Sequence, residues 1–187
     1  MFVHKVTDEI SLKLMRQKDA EELFNLVDQS REHLREWLPW VDSMKSSETY
    51  RPIITAWLQQ FAEEDGFQAG VMYKGELVGF AGFHSIDYTN KQTSIGYWLA
   101  EAYQGKGIMT AVASSLVDYA FEQYDMHRIE IKCGADNEKS RGIPERLGFL
   151  EEGVIRDGEF LYDHFHDLIV YSMLEEDWKK RESEKNM

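Results

Sequence analysis

The most informative stretch of this chain is residues 104–110, with the sequence Gln-Gly-Lys-Gly-Ile-Met-Thr. Residues 93–100 before it alternate with the period of a strand, and the apolar residues after it recur at helical spacing. The glycines therefore fall where a strand passes into a helix. Glycine lets a backbone amide approach a ligand closely, and the first turn of a helix offers unpaired N–H donors and a positive dipole end. This stretch predicts a phosphate site.

Spacing separates three kinds of phosphate loop. A Walker loop is excluded, because the stretch lacks four residues between its first glycine and a Gly-Lys-Ser/Thr. A dinucleotide fingerprint fits poorly, because Thr110 replaces the third glycine and the stretch comes too late for a first strand–helix turn. The pattern Gln/Arg-x-x-Gly-x-Gly/Ala matches at Gln104 and Gly107, with Met109 where Gly or Ala is usual. A glycine-rich turn without a ligand is the remaining alternative.

Length and composition narrow the class of protein. The 187 residues, 43% hydrophobic, suffice for one domain over residues 1–187, with a flexible tail expected from 179 to 187. The net charge of −13 argues against direct nucleic-acid and anionic-membrane partners, and it suits a cationic substrate or simply solubility. No secretory signal or bilayer-length apolar run is visible, and the single cysteine, Cys133, excludes a disulfide framework. We therefore expect a cytoplasmic protein.

The hydrophobic pattern predicts an α+β domain, similar to a three-layer α/β protein, around one mixed sheet. A helix is expected from Asp19 toward Trp37, ending before Pro39 because the residue before a proline disfavours the helical conformation. Trp37 and Trp40 would line a substrate groove or pack a helix end on the core. The other predicted elements are strands 10–16, 67–73, 77–83, 93–100, 127–133, 149–160 and 167–173, helices 47–64, 108–120, 136–147 and 175–181, and a polar loop 84–91.

Several motifs together resemble one family, the Gcn5-related N-acetyltransferases (GNAT), and within it the ribosomal-protein N-terminal acetyltransferases of the RimL and RimJ type. The resemblance covers nearly the whole chain. The phosphate loop points to the superfamily, and the later motifs point to the RimL branch. The motifs are Gly96-Tyr97-Trp98-Leu99, Tyr103 through Thr110, Cys133-Gly134-x-Asp136-Asn137-x-x-Ser140, Arg146-x-Gly148-Phe149-x-x-Glu152-Gly153 and Glu159-Phe160-Leu161.

The resemblance implies the acetyl-CoA-binding GNAT fold, a mixed, mostly antiparallel sheet of about seven strands flanked by helices. It implies that the strands at 93–100 and 127–133 diverge around the pantetheine arm of acetyl-CoA. It also places the final turn near residues 162–165, although Asp157-Gly158 is the stronger local turn signal. The implied cofactor-binding residues are Trp98, Leu99, Ala100, Gln104, Gly105, Lys106, Gly107, Ile108, Met109, Thr110 and Asn137.

Acetyl transfer to an amine needs a base, and the resemblance implies Glu159 in that role. An α-amine has a reference pKa of about 7.7–8.0, against about 10.4 for lysine, so a carboxylate is an adequate base for an N-terminal amine. The resemblance implies Ser140 as the proton donor to the departing thiolate. From the residues alone, Glu159 could instead be a surface carboxylate and Ser140 a helix-opening serine that bonds backbone N–H groups.

One cysteine and one group of histidine and aspartate residues each have alternative interpretations. Cys133 could act as a nucleophile in a ping-pong route, but a buried small residue at a strand end is the simpler interpretation. His164, His166 and Asp167 suggest a metal site, yet no further ligand pair occurs at a recognised spacing, so we predict no metal. These groups, with Tyr162, could line the acceptor groove.

Three hypotheses for function follow. The first is acetylation of the N-terminal α-amine of a ribosomal or other protein. The second is acetylation of a small amine such as a polyamine, amino sugar or antibiotic, and the third is coenzyme A binding without catalysis. The sequence identifies neither the acceptor nor the oligomeric state, and it leaves a homo-oligomer open.

Overall fold

A computed structural model describes residues 3–185. Over these residues the chain forms eight strands and six α-helices, with three short 3-10 helices between them. The strands are β1 (Val3–Lys5), β2 (Ile10–Leu14), β3 (Gln68–Tyr73), β4 (Glu76–Asp87), β5 (Gln92–Leu99), β6 (Arg128–Gly134), β7 (Leu150–Leu161) and β8 (His164–Leu174). The helices are α1 (Ala20–Gln29), α2 (Arg31–Arg35), α3 (Ser47–Ala62), α4 (Ile108–Gln123), α5 (Glu138–Leu147) and α6 (Glu175–Lys185).

All eight strands belong to one sheet, in the order β1-β2-β3-β4-β5-β6-β8-β7. Every neighbouring pair is antiparallel except β5 and β6, which are parallel and are connected through α4. The predicted mixed, mostly antiparallel sheet is therefore confirmed. It has eight strands rather than about seven, because the short β1, which the pattern did not predict, pairs with β2.

Helices cover both faces of the sheet, and each face has its own core. On one face, Leu23 of α1 and Ile54 of α3 pack in a cluster with Phe80 of β4. On the other face, Val112 of α4 belongs to a larger cluster that includes Ile129 of β6. Because the central strands are buried on both faces, their sequences are nearly continuously apolar.

The prediction of a single helix from Asp19 toward Trp37 is wrong. Ser30 leaves helical geometry at φ −110° and ψ 14°, which separates α1 from α2. The guanidinium of Arg31 donates to the backbone carbonyls of Val41 and Met44 at 2.7 and 2.8 Å. These bonds fix α2 against the following loop and so redirect the chain toward the sheet.

The polar segment 84–91 is partly strand rather than loop. β4 continues to Asp87 across a register shift between Phe83 and Ile86, and the exposed His84 and Ser85 lie at that irregularity. A bulge leaves residues unpaired while the strand continues, so the polar stretch does not interrupt the sheet.

The last two strands turn where the family resemblance implied. β7 and β8 are joined at Tyr162 and Asp163, and Tyr162 adopts φ +56°. The Asp157-Gly158 signal lies inside β7, where the register with β8 shifts between Ile155 and Glu159. The later turn is therefore confirmed, and Asp157-Gly158 forms a bulge.

The C-terminal helix is longer than predicted. Residues 179–185, expected to form a flexible tail, continue α6 as helix. Trp178 is buried and its indole N–H donates to Asp118 at 2.7 Å, while Arg181 donates to the carbonyl of Arg146 at 2.6 Å. These contacts hold α6 against the domain. Residues 186 and 187 of the expected tail lie outside the described residues.

Candidate active site

A large cleft opens where β5 and β6 separate. The two strands pair only at residues 92–94 with 128–130. Beyond these three pairs they diverge, which confirms the gap that the family resemblance implied. The resulting cleft has a volume of about 1430 Å³ and is lined by the ends of β5 and β6, residues 104–110, the start of α5 and parts of segment 33–40.

The phosphate-loop candidate forms one end of this cleft. Gly105 and Gly107 adopt φ +74° and +73°, a left-handed conformation that glycine tolerates. Gly107 is the N-cap of α4 and has no side chain that could cap the helix. Within residues 3–185, the first N–H groups of this helix therefore have no protein acceptor. A Cβ built on either glycine would meet nothing within 4 Å. This open, donor-rich corner fits a diphosphate.

Side chains of the loop divide between the core and the cleft. Ile108 and Met109 are buried among the residues under α4, so only their backbones are available to a ligand. The departure at Met109 is thereby explained, because its side chain fills the core rather than the ligand space. Lys106 is exposed near the ring of Tyr103, and Thr110 Oγ1 accepts a hydrogen bond from Arg146 at 3.1 Å.

Gln104 joins the loop to two helices. Its amide nitrogen lies 2.7 Å from Nε2 of His33 on α2, and its amide oxygen accepts from Lys139 on α5 at 2.8 Å. Sequence spacing did not indicate His33 or Lys139, because both reach the loop through the fold. Lys106, Lys139 and Arg146 gather positive charge around the loop in a chain whose net charge is −13.

The end of β5 presents backbone donors to the gap. Ala100 N–H donates to the carbonyl of Val78 at 2.9 Å and is therefore already used. Because successive residues of a strand direct their N–H groups to opposite edges, the N–H of Leu99 points toward the gap between β5 and β6. The ring of Trp98 stacks on Phe80 with a centroid separation of 5.7 Å, which fixes this strand end.

Asn137 and Ser140 lie at the start of α5, on the other side of the gap. Asn137 is the N-cap, and its side-chain oxygen accepts from the backbone N–H of Ser140 at 3.1 Å. The capping role therefore belongs to Asn137 and not to Ser140. The Ser140 hydroxyl instead donates to the sulfur of Cys133 at 3.3 Å, and both residues line the cleft.

Cys133 and Tyr97 form the floor between the strands. Cys133 is only 3% exposed, and burial raises the pKa of its thiol, so it is protonated at neutral pH. Burial also raises the pKa of Tyr97 well above its usual value, and the Tyr97 hydroxyl donates to the carbonyl of Ser140 at 3.0 Å. A protonated, buried thiol is a weak nucleophile. From the sequence, Tyr97 has no assigned role beyond its place in the Gly96-Tyr97-Trp98-Leu99 motif.

Glu159 belongs to β7 and lines the same cleft as the phosphate loop. It is paired across the β7–β8 ladder with His166, and its Oε2 is 2.9 Å from His166 Nε2. The bulge that precedes it is held by Asp167, whose carboxylate accepts from the backbone N–H of Asp157 at 2.8 Å.

The three residues that suggested a metal have separate partners. His166 contacts Glu159, His164 contacts Asp163 at 2.8 Å, and Asp167 holds the bulge. Among residues 3–185, no group of three or more His, Cys, Asp or Glu side chains is arranged to hold a metal ion.

The wall facing Glu159 comes from the segment after α2. Trp37 and Trp40 both line the cleft, and Trp40 also packs against the core cluster under α1 and α3. The hydroxyl of Tyr162 donates to the carbonyl of Leu38 at 2.6 Å, which ties the β7–β8 turn to this wall. A second cavity of about 460 Å³ continues past His166 and is lined partly by Glu32, Glu36 and Asp136.

Comparison with known proteins identifies the family of this chain. The sequence model of the acetyltransferase (GNAT) domain family matches residues 9–150. YdaF of Bacillus subtilis, provisionally named as a ribosomal N-acetyltransferase, is 43% identical over 180 residues, which are 96% of this chain and 98% of that protein.

No helix within residues 3–185 has the length and apolar character needed to span a bilayer.

Two solved structures have the same fold. RimL, the ribosomal L7/L12 α-N-protein acetyltransferase, was solved with coenzyme A and superposes with a TM-score of 0.89 at 26% identity, covering 94% of this chain and 99% of RimL. The microcin C7 self-immunity acetyltransferase MccE, solved with acetyl-CoA and AMP, gives a TM-score of 0.87 at 32% identity, covering 91% and 94%. This chain belongs to the GNAT family and is an acetyl-CoA-dependent N-acetyltransferase of the RimL/RimJ type.

Proposed function

We propose that this enzyme acetylates the N-terminal α-amine of a ribosomal protein by direct transfer from acetyl-CoA. The observation that carries the proposal is the position of Glu159. It opens on the same cleft as residues 104–110, across the gap between β5 and β6. The names of YdaF and RimL support a ribosomal acceptor.

The cofactor would lie along the cleft from the phosphate loop toward Glu159. Acetyl-CoA supplies an acetyl group activated as a thioester. In this proposal the backbone N–H groups of residues 105–110 hold the diphosphate, with Gln104 and the exposed Lys106 beside them. Residues 98–100 of the β5 end flank the pantetheine arm, and Asn137 contacts it from the start of α5.

The chemical roles follow from where each donor and acceptor lies. The N–H of Leu99 points into the gap and would polarise the thioester carbonyl, as a preorganised backbone donor does in an oxyanion hole. Glu159 would accept the proton of the incoming amine. Ser140, whose hydroxyl lies at the start of α5, would give a proton to the departing thiolate, which is the conjugate base of a thiol with a reference pKa of about 8.5.

Direct transfer is favoured over a covalent enzyme intermediate by the state of Cys133. Burial raises the pKa of this thiol, and within residues 3–185 its hydrogen-bond contacts are the hydroxyl groups of Ser140 and Tyr97 rather than a base. We expect Cys133→Ala to retain most of the turnover rate. A burst of free coenzyme A equal to the enzyme concentration, lost in that variant, would instead indicate a ping-pong route.

The acceptor class is tested by thiol release with a panel of amines. Peptides with a free N-terminal serine, alanine or methionine should be acetylated faster than spermidine or amino sugars. Mass spectrometry of ribosomal proteins from a deletion strain should then show a protein that has lost its N-terminal acetyl group. Unchanged acetylation of every ribosomal protein would contradict the proposed acceptor.

A small amine is the second candidate for the acceptor. The fold similarity to MccE, which was solved with AMP as well as acetyl-CoA, favours it. The carboxylates of Glu32, Glu36 and Asp136 in the second cavity have the charge to attract a cationic amine. Faster turnover with spermidine than with any peptide would select this candidate. Tight acetyl-CoA binding without turnover on either class would indicate a non-catalytic binder.

The proposed setting is the cytoplasm, where a ribosomal acceptor and acetyl-CoA meet. A homo-oligomer is also part of the proposal, because large apolar side chains of the last two strands are exposed and β7 is an edge of the sheet. These side chains are Leu150, Val154, Ile155, Phe160 and Phe165. Light scattering after size-exclusion chromatography should give a mass above 21.9 kDa, and a monomeric mass would contradict it.

A further inference from the structure

We propose that His166 is a positioning residue that holds Glu159 in the orientation needed to take the acceptor's proton. This inference deepens the proposed function and rests on it. The starting observation is the cross-strand pair in which His166 Nε2 lies 2.9 Å from Glu159 Oε2. The family resemblance implies a role for Glu159, whereas the sequence suggests His166 only as part of a metal site or of the acceptor groove.

The imidazole of His166 is held in place by its surroundings. Its side chain is 13% exposed, whereas that of Glu159 is 36% exposed. A Cβ built on Gly134 would lie 2.9 Å from His166 Cε1 and 3.4 Å from Trp37, so the ring occupies the space that the missing side chain leaves. A partly buried ring with a fixed position can orient a more exposed carboxylate.

The contact also determines which atoms are free. A carboxylate oxygen accepts hydrogen bonds, so His166 Nε2 must be the donor and must carry a proton. Within residues 3–185, Glu159 Oε1 makes no hydrogen bond, while Oε2 is occupied by His166. The proton would leave the acceptor nitrogen and be received at Oε1, which neutralises the carboxyl group, while the hydrogen bond from Nε2–H keeps Oε2 in place.

The backbone of β7 contributes to the same orientation. Asp157 adopts φ +50° within the bulge, and its N–H is fixed by the carboxylate of Asp167, the residue after His166. The bulge gives β7 two more residues than β8 between Ile155 and Glu159, because Ile155 pairs with Leu168 and Glu159 with His166. One segment of β8 therefore holds both the carboxylate and the backbone that presents it.

Other charged groups on neighbouring elements line the same cleft as this pair. Lys132 lies on β6, His84 on β4, Asp136 after β6 and Glu36 after α2, and all of them line the cleft. None of these four side chains makes a hydrogen bond to Glu159 or His166 within the described residues. The pair is therefore the contact to perturb.

Substitutions of His166 test the proposal through kinetics. His166→Leu should lower kcat about tenfold to hundredfold, the effect of losing a hydrogen bond to a charged group, with little change in the KM for acetyl-CoA. His166→Gln, whose amide can donate from nearly the same place, should recover most of this loss. His127→Leu is the matched control, because His127 is an exposed histidine at the opposite end of β6 and should behave as the wild type.

The pH profile separates positioning from a structural effect. In His166→Leu the pH of half-maximal kcat/KM should shift relative to wild type, because Glu159 loses the donor that compensates its charge. In His127→Leu it should not shift. Equal kcat and an unchanged profile in His166→Leu, with the fold confirmed by circular dichroism, would overturn the proposal.

A readout independent of turnover distinguishes this proposal from the proposed function. In protein labelled with ¹⁵N-histidine, long-range proton–nitrogen spectra at pH 8 should show His166 with its proton on Nε2, and Glu159→Gln should change that signal. A proton on Nδ1 in the wild type would overturn the positioning role even in a fully active enzyme. If the wild type acetylated no acceptor but still showed the proton on Nε2, the proposed function would be refuted, whereas the hydrogen bond between His166 and Glu159 would be confirmed.

Discussion

The two ends of the cleft are built from different parts of the chain. At the phosphate-loop end the donors are backbone N–H groups of residues 105–110, set by two left-handed glycines and a helix start. In the proposed function the chemistry comes instead from the side chains of Glu159 and His166, which cross-strand pairing brings together. Backbone geometry follows from local sequence, whereas a side-chain pair depends on the register of the whole sheet. In the proposed function the loop would serve acetyl-CoA binding, and the Glu159–His166 pair would serve the acceptor chemistry.

The largest expected effect is loss of cofactor binding in Gly107→Val. A β-branched residue is strained at φ +73°, and its side chain would enter the space in front of the first turn of α4. We expect acetyl-CoA affinity to fall by about a hundredfold or more in titration calorimetry.

Gly75→Val is the matched control for this prediction. Gly75 also has a positive φ, +87°, and its built Cβ also meets nothing within 4 Å, but it lies in the β3–β4 turn. This variant carries the same backbone strain and should keep its affinity. Equal affinities in the Gly107→Val and Gly75→Val proteins would remove the loop from the binding site.

Glu159→Gln should act only on turnover. We expect kcat to fall by about 10²–10³-fold, the range for losing a general base, while calorimetry with acetyl-CoA gives the wild-type affinity. Wild-type activity should rise from acid pH toward neutrality, because the acceptor amine must lose its proton.

Glu101→Gln is the control carboxylate, since Glu101 is exposed and does not line the cleft. A second carboxylate that could be considered as the base, Glu130, is ion-paired with Arg128 and Lys132. Although partial burial opposes ionisation, those hydrogen bonds lower the pKa of Glu130, so it is a weaker base. If Glu101→Gln, and not Glu159→Gln, lost turnover, the base would have to be reassigned.

A smaller effect is expected from Ser140→Ala. Its backbone N–H remains capped by Asn137, so the free energy of unfolding should stay close to wild type while kcat falls about tenfold. Asn137→Ala should instead lower the free energy of unfolding by about 1 kcal/mol through loss of the cap. Urea denaturation and steady-state kinetics on the two variants separate the roles, and an unchanged kcat in Ser140→Ala would exclude its proton-donor role.

The smallest expected effect is on the pH dependence of the free energy of unfolding, through Glu152 on β7. Hydrogen bonds from Arg128 and Ser172 lower the pKa of Glu152 from 4.5 to about 2. Because the folded-state pKa is depressed, this stabilisation is present above pH 4.5 and is lost as the pH falls through about 2. Glu152→Gln should therefore cost about 1 kcal/mol or less at pH 7, since the pair is partly exposed, and the difference from wild type should vanish near pH 2.

Urea midpoints measured across that pH range check this prediction. Acetyl-CoA affinity should not change in Glu152→Gln, because the residue supports the β6–β8 side and not the phosphate loop. A difference from wild type that persisted at pH 2 would show that Glu152 stabilises the fold by a route other than its charge.

The sequence pattern predicted the local backbone geometry of residues 104–110. The role proposed for Glu159 came only from the family resemblance. Residues 104–110 carry their geometry locally, in two glycines and a helical period. The partner of Glu159 could not be predicted, because the Asp157 bulge changes the register between β7 and β8. The break at Ser30 was missed for a similar reason, since the bonds from Arg31 to distant carbonyls override a continuous helical period. His33 reached Gln104 only through that break.

The short pairing between β5 and β6 affects the stability of the whole domain. Three residue pairs join the two parts of the sheet, so along most of their length these strands lack the ladder that stiffens the other pairs. A ligand that spans the opening acts as a substitute crosslink and stabilises the folded state by mass action, by about 2.7 kcal/mol at a hundredfold excess over its Kd. Binding of acetyl-CoA would thus raise the melting temperature of this enzyme as well as supply its acetyl group.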